Sequence, residues 1–365
     1  MQQSTCLRPL SKHVLESIRW ASPEPRRSAQ GVEMKRRRFL AALTGAAAAL
    51  VALTGSTAGV HAQDYPSRHI TLVAPFPPGG PSDTTVRLIA GPMSKYLGQQ
   101  IIIENVTGAG GTIGSNRVAK AAPDGYQIVL SGSGTHAAIE YLQKDAPYKT
   151  SDWEHIGLVN VSPVILVARK AVPANTLQEF VAYLKENEKK VTEADAGTGS
   201  ISNLACSVFH ALAGVNPTVV SYRGTPQATQ DVVAGTVDFG CNQIVNIAQH
   251  VQSGALKAYA VTSEKRSPML PDVPTTTEAG MPAFKLSVWF GLSAPKGTPK
   301  PIIDKLNQAL GAALEDEAVV KRFAQLGYDV VPPEQRSPAY FSKFFQDEVA
   351  LWTKVLGGLS VAPKQ

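Results

Sequence analysis

Short apolar segments alternate with longer segments of helical spacing along most of this chain. Residues 70–74, 101–103 and 127–130 are apolar runs of strand length, and helical periodicity marks 83–97 and 112–121 between them. Strands that alternate with helices of about ten to fifteen residues form βαβ units with parallel strands. The pattern therefore predicts an α/β fold, with mainly parallel sheets flanked by helices.

The same alternation occurs again further along the chain and predicts a second lobe. Further strands are expected at 164–167, 218–220, 237–239, 256–261 and 286–292. We predict that residues 63–165 and 285–365 form the first lobe and that residues 166–284 form the second. Ligands of open α/β sheets bind beyond the carboxyl ends of the strands, so we expect the binding site in a cleft between the lobes.

The amino-terminal residues have the layout of a secretory signal peptide. Basic residues follow a methionine, a run of small apolar residues comes next, and the run ends at Ala62. We predict an over-extended start at 1–33, a signal peptide at 34–62, and export to the periplasm without later membrane insertion. A membrane anchor is the alternative, but the run is weakly apolar for a span. Residues 36–40 fit both a twin-arginine signal and an ordinary basic region, and this choice stays open.

The basic character of the chain belongs to this leader. Nine of the 35 basic and three of the 29 acidic residues lie in residues 1–62. The rest of the chain carries 26 of each and has no formal net charge. A balanced charge gives no reason to expect a nucleic acid as partner.

Enzyme and cofactor motifs are tested and rejected. Residues 108–114 read G-x-G-x-x-x-G, which is not the spacing of a dinucleotide-binding loop, and the next strand does not end in an acidic residue. The sequence has no G-x-S-x-G nucleophile elbow and no zinc-type spacing of His and Cys. We therefore expect no enzyme activity, no cofactor and no metal.

Three loops rich in glycine and hydroxyl side chains precede predicted helices. Glycine lets the backbone approach a ligand closely, and the first N–H groups of a helix form an anion site. A structural turn is the alternative for each loop alone, whereas three such loops split between two lobes favour a clamp for a carboxylate. The candidate ligand-binding residues in these loops are Phe76, Gly79, Gly80, Ser82, Asp83, Thr84, Ser133, Thr135, His136, Gly197, Thr198, Ser200 and Asn203.

Four more residues are candidates, each with a structural alternative. Arg223 stands at a strand-to-helix turn and is either a bidentate partner for a carboxylate or a surface arginine. Tyr222 beside it either flanks the ligand or packs in the core. Cys206 and Cys241 form either a disulfide or two buried thiols, and an oxidising compartment favours the disulfide.

Several short motifs together carry a family resemblance. They are P-F-P-P-G-G-P-S-D at 75–83, N-V-T-G-A-G-G at 105–111, A-A-P-D-G-Y at 121–126, Y-R-G at 222–224, P-D-V-P-T at 271–275 and A-P-K-G-T-P at 294–299. With these motifs the chain, nearly throughout residues 63–365, resembles the Bug family, the extracytoplasmic solute receptors of tripartite tricarboxylate transporters.

The resemblance implies a two-lobed Venus-flytrap fold of the periplasmic-binding-protein type. It also implies a small carboxylate ligand, such as a dicarboxylate or aromatic acid, and membrane permease subunits as partners; we expect a monomer. An orphan periplasmic sensor or an enzyme on the same fold is the alternative. Asn242 stands where many relatives carry Asp. Because Asn lacks the charge that would meet an ammonium group, we hypothesise that the ligand is not an amino acid.

Overall fold

The computed structural model describes residues 65–358, so the predicted leader segments at 1–33 and 34–62 lie outside the described residues. The strands are β1 (Ile70–Ala74), β2 (Ile101–Asn105), β3 (Gln127–Gly132), β4 (Trp153–Arg169), β5 (Thr192–Asp195), β6 (Thr218–Ser221), β7 (Phe239–Gln243), β8 (Leu256–Val261), β9 (Ser287–Pro295) and β10 (Asp329–Val330). The α-helices are α1 (Pro81–Leu97), α2 (Thr112–Ala119), α3 (Ile139–Leu142), α4 (Leu177–Asn187), α5 (Ile201–Ala213), α6 (Thr225–Ala234), α7 (Ile244–Gln252), α8 (Lys300–Glu315), α9 (Glu317–Gln325) and α10 (Pro338–Gly358). Among the described residues, no helix combines the length and the apolar character needed to cross a bilayer.

One long strand, β4, joins two parts of the sheet, which we call the first and the second lobe. In the first lobe β1 lies between β2 and β3 in parallel, and β9 pairs antiparallel with β3 and with β4 up to Pro163. From Val164 onward β4 pairs antiparallel with β7 and β8, and β5 pairs in parallel with β6 and β7. The pairing is thus parallel where strands and helices alternate, and antiparallel at the strands that connect the lobes. The partner strands of β4 change between Pro163 and Val164.

Sequence patterning missed most of β4 and all of β5. The prediction placed a strand only at 164–167, but β4 begins at Trp153. In β5 the acidic side chains of Glu193 and Asp195 hide the strand signal, although both residues are buried. Their partners come from α5, since His210 pairs with Glu193 and Asn203 donates to Asp195. Buried charges are tolerated when they are paired in this way.

Helix α1 runs through Pro92 to Leu97 without a break. A proline inside a helix removes one hydrogen bond and costs about 3 kcal/mol, which is why the sequence predicts a kink or a division there. The buried face of the helix, with Val86, Ile89 and Met93, packs in the main core and keeps the helix in one piece. Tertiary packing therefore outweighs the local preference.

A disulfide links a helix and a strand in the core of the second lobe. Cys206 on α5 and Cys241 on β7 are fully buried and joined by a disulfide. Of the two alternatives left open by the sequence, the structure has the disulfide. The rings of Phe209 on α5 and Phe239 on β7 also pack against each other, so α5 packs against the sheet. The position of the start of α5 therefore depends on this contact.

A carboxylate in α10 fastens the last helix to the first lobe. Glu348 accepts hydrogen bonds from the indole nitrogens of Trp289 on β9, at 2.8 Å, and Trp352 on α10, at 2.9 Å. Burial raises the pKa of Glu348, and the two indole hydrogen bonds only partly offset that effect. The neutral acid is therefore favoured in the folded state more than in the unfolded chain.

We predict that Glu348→Gln keeps both indole hydrogen bonds and removes the cost of burying a charge. The pKa of Glu348 is raised on folding. Its contribution to the free energy of unfolding is therefore fully present below the ordinary pKa of a glutamate, and it is lost as the pH rises through the folded-state pKa. The Gln variant should match the parent at pH 4 and equal or exceed its stability at pH 7. Glu348→Ala should lose about 1–3 kcal/mol, because two buried N–H groups lack an acceptor. Urea unfolding at both pH values measures the differences, and a Gln variant less stable than the Ala variant would contradict this account.

Candidate functional site

A cleft near the middle strands of the sheet contains about 320 Å³ of space, part of it open to solvent. Its walls come from the loop between β1 and α1, from the starts of α5 and α6, and from the strands β7 and β9. The cleft therefore takes residues from both lobes. The lining residues are Phe76, Pro77, Gly80, Pro81, Ser82, Ser200, Ile201, Thr225, Pro226, Gln243 and Phe290.

Helices α1, α5 and α6 begin at this cleft, and so does α7, whose N-cap is the lining residue Gln243. Gly80, Ser200 and Gly224 are the N-caps of α1, α5 and α6. Ser200 caps α5 through its hydroxyl, whereas within residues 65–358 no side chain caps α1 or α6. The first N–H groups of a helix lack intrahelical partners and carry partial positive charge, and both effects favour an anion. The convergence of these helix starts makes the cleft the candidate site for a negatively charged group.

The side chains of the cleft are neutral and mostly apolar. Ser82 is buried, and its hydroxyl has no hydrogen-bond partner among the described residues. Gln243 donates to the hydroxyl of Ser162 at 2.6 Å, which fixes its amide at the floor between β7 and β4. Phe76 and Phe290 form apolar walls. Since no residue of this lining is ionisable, an anion bound here is held by dipoles and hydroxyl groups.

Asp83 holds the conformation of the loop between β1 and α1 through hydrogen bonds. Its carboxylate accepts from Gly79 N at 2.9 Å, from Arg87 Nε at 2.8 Å and from Asn105 Nδ2 at 3.0 Å. Asn105 also donates to the carbonyl of Phe76 at 2.9 Å. Burial alone raises the pKa of Asp83, but the hydrogen bonds from Arg87, Gly79 and Asn105 outweigh it and hold the pKa below its ordinary value. Asp83 thus holds the loop, and sequence reasoning did not identify Asn105 as its partner.

The loop after β3 does not line the cleft but packs against its lining, since a Cβ added to Gly134 would lie 3.2 Å from the carbonyl oxygen of Ser200. Ser133 accepts from the backbone N–H of Trp289, and Thr135 Oγ1 contacts His136 Nδ1 at 2.8 Å. The His136 ring lies 4.6 Å from the Trp153 ring, centroid to centroid, and is fully buried. Burial, with a smaller contribution from His155, lowers the pKa of His136 to about 3. The structure therefore places a neutral histidine in an aromatic cluster, and Ser133, Thr135 and His136 are not among the residues that line the cleft.

The loop at 197–200 makes the closest contact between the lobes. A Cβ added to Gly110 would collide with the carbonyl oxygen of Thr198, and one added to Gly134 would collide with that of Gly199. Gln143 also donates to the carbonyl of Thr198 at 3.1 Å. Gly110, in the segment that resembles a dinucleotide loop in sequence, serves this backbone-to-backbone packing, whereas Gly108 and Gly111 face the side chains of Ile113, Thr135 and Phe76. Glycine is required there because a side chain has no room.

The remaining candidates fall outside the lining. Asn203 donates to Asp195 at 2.6 Å behind the start of α5, and Tyr222 donates to Asp231 at 2.6 Å. Arg223 is exposed, and among residues 65–358 no carboxylate forms an ion pair with it. Asn242 is buried on β7, one residue before Gln243. Of the sequence candidates, the structure brings Phe76, Gly80, Ser82 and Ser200 into the cleft; Gly79, Thr84, Gly197 and Thr198 lie in the same loops or at their helix starts.

Seven of the eleven lining residues were not among the candidates from the sequence. Thr225 and Pro226 follow the Tyr-Arg-Gly turn, and Gly as N-cap with Pro in the first turn is a helix-start signal that identifies them. Gln243 and Phe290 lie on strands, and nothing local distinguishes them from core residues. Gln243 reaches the cleft because β7 ends there, and Phe290 reaches it because β9 passes beneath it.

The fold and the cleft together define a two-lobed solute-binding protein. The family model for the tripartite tricarboxylate transporter family receptor matches residues 85–360, and the chain belongs to this family of receptors, which are binding proteins and not enzymes. Protein BugT of Bordetella pertussis is 35% identical over 308 residues, which cover 84% of this chain and 94% of BugT.

Solved structures agree in fold along nearly their full length. MatC from Rhodopseudomonas palustris, with bound malate, is 43% identical with a TM-score of 0.78, and the match covers 80% of this chain and 100% of MatC. An R. palustris protein with adipate is 29% identical with a TM-score of 0.77, covering 82% and 100% of the two chains. The expected periplasmic-binding-protein fold is thereby confirmed.

We predict that Asp83→Ala destabilises the protein by about 1–3 kcal/mol, because the Gly79 and Asn105 donors lose a buried acceptor. Asp304→Ala is the matched control: it also removes an i,i+4 ion pair, but the Lys300–Asp304 pair is exposed, and such pairs contribute about 0–1 kcal/mol. Since the pKa of Asp83 is lowered on folding, its contribution is present above the ordinary pKa of an aspartate and disappears as the pH falls through the lower folded-state pKa. Equal effects of the two substitutions on urea unfolding at pH 7 would rule out the structural role assigned to Asp83.

Proposed function

We propose that this protein captures a small dicarboxylate in the cleft between its lobes and delivers it to a membrane permease. The observation that carries the proposal is the convergence of three helix starts, at Gly80, Ser200 and Gly224, on one cleft without an ionisable lining side chain. Neutral donors attract a carboxylate without a strong ion pair that would have to break on release. This property suits a receptor that must give up its ligand.

The geometry supports a ligand that contacts both lobes, and the structural relatives suggest an acid with two carboxylates. Helix α1 belongs to the first lobe, and α5 and α6 belong to the second, so an anion between them bridges the lobes. A ligand that contacts both lobes stabilises the closed arrangement, because its affinity for that arrangement exceeds its affinity for the open one. The malate and adipate bound to the two structural relatives are both dicarboxylates.

The neutral lining argues against an amino acid as ligand. An ammonium group inside the cleft would lose its hydration without meeting a carboxylate from the lining residues at 76–82, 200–201, 225–226, 243 and 290. Asn242, near the end of β7, adds no charge. The apolar faces of Phe76 and Phe290 suit the carbon chain of an acid without an amino group.

The partner and the location follow from the family. A receptor of a tripartite tricarboxylate transporter works beside membrane permease subunits, so we propose such subunits as the partner and the periplasm as the location. The signal peptide proposed at 34–62 would carry the chain there.

We expect malate to bind at least roughly ten-fold more tightly than aspartate, because aspartate differs by an ammonium in place of a hydroxyl group and the lining offers it no carboxylate. Isothermal titration calorimetry with both acids measures the ratio. Thermal unfolding with mono-, di- and aromatic carboxylates tests the wider proposal, since a true ligand raises the melting temperature by mass action. If no carboxylate at millimolar concentration shifted the melting temperature, the proposed function would be wrong; tight aspartate binding would refute only the exclusion of amino acids.

We also expect Ser82→Ala to weaken malate binding roughly ten-fold, the effect of about 1.5 kcal/mol for one hydrogen bond to a charged group. Ser94→Ala is the control in the same helix, since Ser94 lies at the opposite end of α1 and bonds to Ala90 and Ile101. The control should lower stability without changing affinity. Unchanged affinity in Ser82→Ala would exclude its hydroxyl from the site.

A further inference from the structure

A cluster of metal-binding side chains lies behind the start of α5, in the core of the second lobe. Cys206 and His210 are four residues apart on α5, so both project from the same face of the helix. That face meets Glu193 on β5 and Cys241 on β7. Two cysteines, a histidine and a glutamate therefore come from three elements that are separate in sequence.

The donor atoms are close together. His210 Nε2 lies 2.9 Å from Glu193 Oε2, and donor atoms of Glu193, Cys206 and His210 all lie within 4.8 Å of one another. The Cys241 sulfur is bonded to that of Cys206. Glu193 and both cysteines are buried, and His210 is partly exposed. The cluster is thus enclosed by protein, with access from solvent on the histidine side.

In the oxidised protein the two sulfurs are used by their own bond and are poor metal ligands. Reduction by two equivalents of a small thiol, which become one disulfide, cleaves the Cys206–Cys241 bond and leaves two thiols. A zinc ion then displaces the two thiol protons and bonds to two thiolates, which are the form of cysteine that binds metals.

We propose that, when its disulfide is reduced, this protein binds one zinc ion through Cys206, Cys241, His210 and Glu193. Two thiolates, an imidazole and a carboxylate are ordinary zinc ligands, and four of them complete a tetrahedral site. Zinc bonds of about 2.0–2.3 Å require ligand atoms roughly 3.3–3.8 Å apart. The present spacing reaches that range if the His210 and Glu193 side chains separate by several tenths of an ångström and the sulfurs part.

The zinc ion would replace the disulfide as the link between α5 and the sheet. In the oxidised protein the disulfide ties α5 to β7, and in the reduced protein the metal would tie the same helix to β5 and β7. The start of α5, at Ser200 and Ile201, lines the cleft more than one helical turn away. Either fastening therefore keeps the cleft in place, and the zinc site is separate from the proposed carboxylate site.

Cobalt(II) and zinc(II) titrations of the full chain in a Cys6→Ser background test the proposal, because Cys6 is the other cysteine of the sequence. Cobalt bound by two thiolates gives an intense near-ultraviolet charge-transfer band and tetrahedral d–d bands. We expect these bands with one equivalent of cobalt in the reduced protein, their loss on adding zinc, and no bands in the oxidised protein. Zinc should also raise the melting temperature of the reduced protein and leave that of the oxidised protein unchanged.

Matched variants separate this site from adventitious binding. His210→Gln should weaken zinc binding at least roughly ten-fold, whereas His69→Gln, which changes an exposed histidine, should leave it unaltered. Circular dichroism of the oxidised His210→Gln protein, in which the disulfide is intact, verifies that the variant folds. The proposal fails if the reduced protein shows no thiolate band, if the oxidised protein binds zinc equally well, or if the folded His210→Gln variant binds like the parent.

Discussion

The starts of α1, α5 and α6 meet at one cleft, and the anion binding that we propose there depends on this arrangement. Three partial positive charges from two lobes converge on one cleft, and they attract an anion only while their spacing is kept. Much of the surrounding structure maintains that spacing. Asp83 fixes the loop before α1, the Asp195–Asn203 contact fixes the start of α5, and glycine backbones hold the lobes together at Thr198.

The acidic side chains near the cleft are buried outside its lining, and the lining itself is neutral. Asp83, Asp195 and Glu193 are all buried, and each is paired with donors behind the ligand-binding surface. Charged groups placed there orient the helices and loops without repelling an anionic ligand. In the proposed binding mode the cleft attracts a carboxylate through dipoles and hydroxyl groups, without an ion pair that would have to break on release.

Helix α5 links the cleft to the interior of the second lobe. Its first residues line the cleft, its middle carries Cys206, and its last turns carry His210 beside Glu193. One face of this helix therefore has two functions along its length. The disulfide fixes the middle of the helix to β7, and the first residues of the same helix line the cleft.

The sequence by itself determined the α/β class, most helices and strands, and the loops that lead into α1, α5 and α6, because these features follow from local periodicity and from glycine and capping residues. Only the tertiary structure decided which donors face the ligand. Gln243 and Phe290 look like core residues in sequence, yet they line the cleft because of where β7 and β9 lie beneath it. Asp83 and His136 look like ligand contacts, yet one fastens a loop and the other is buried among aromatic rings. The direction of a side chain depends on contacts between residues far apart in sequence, and local patterns do not contain that information.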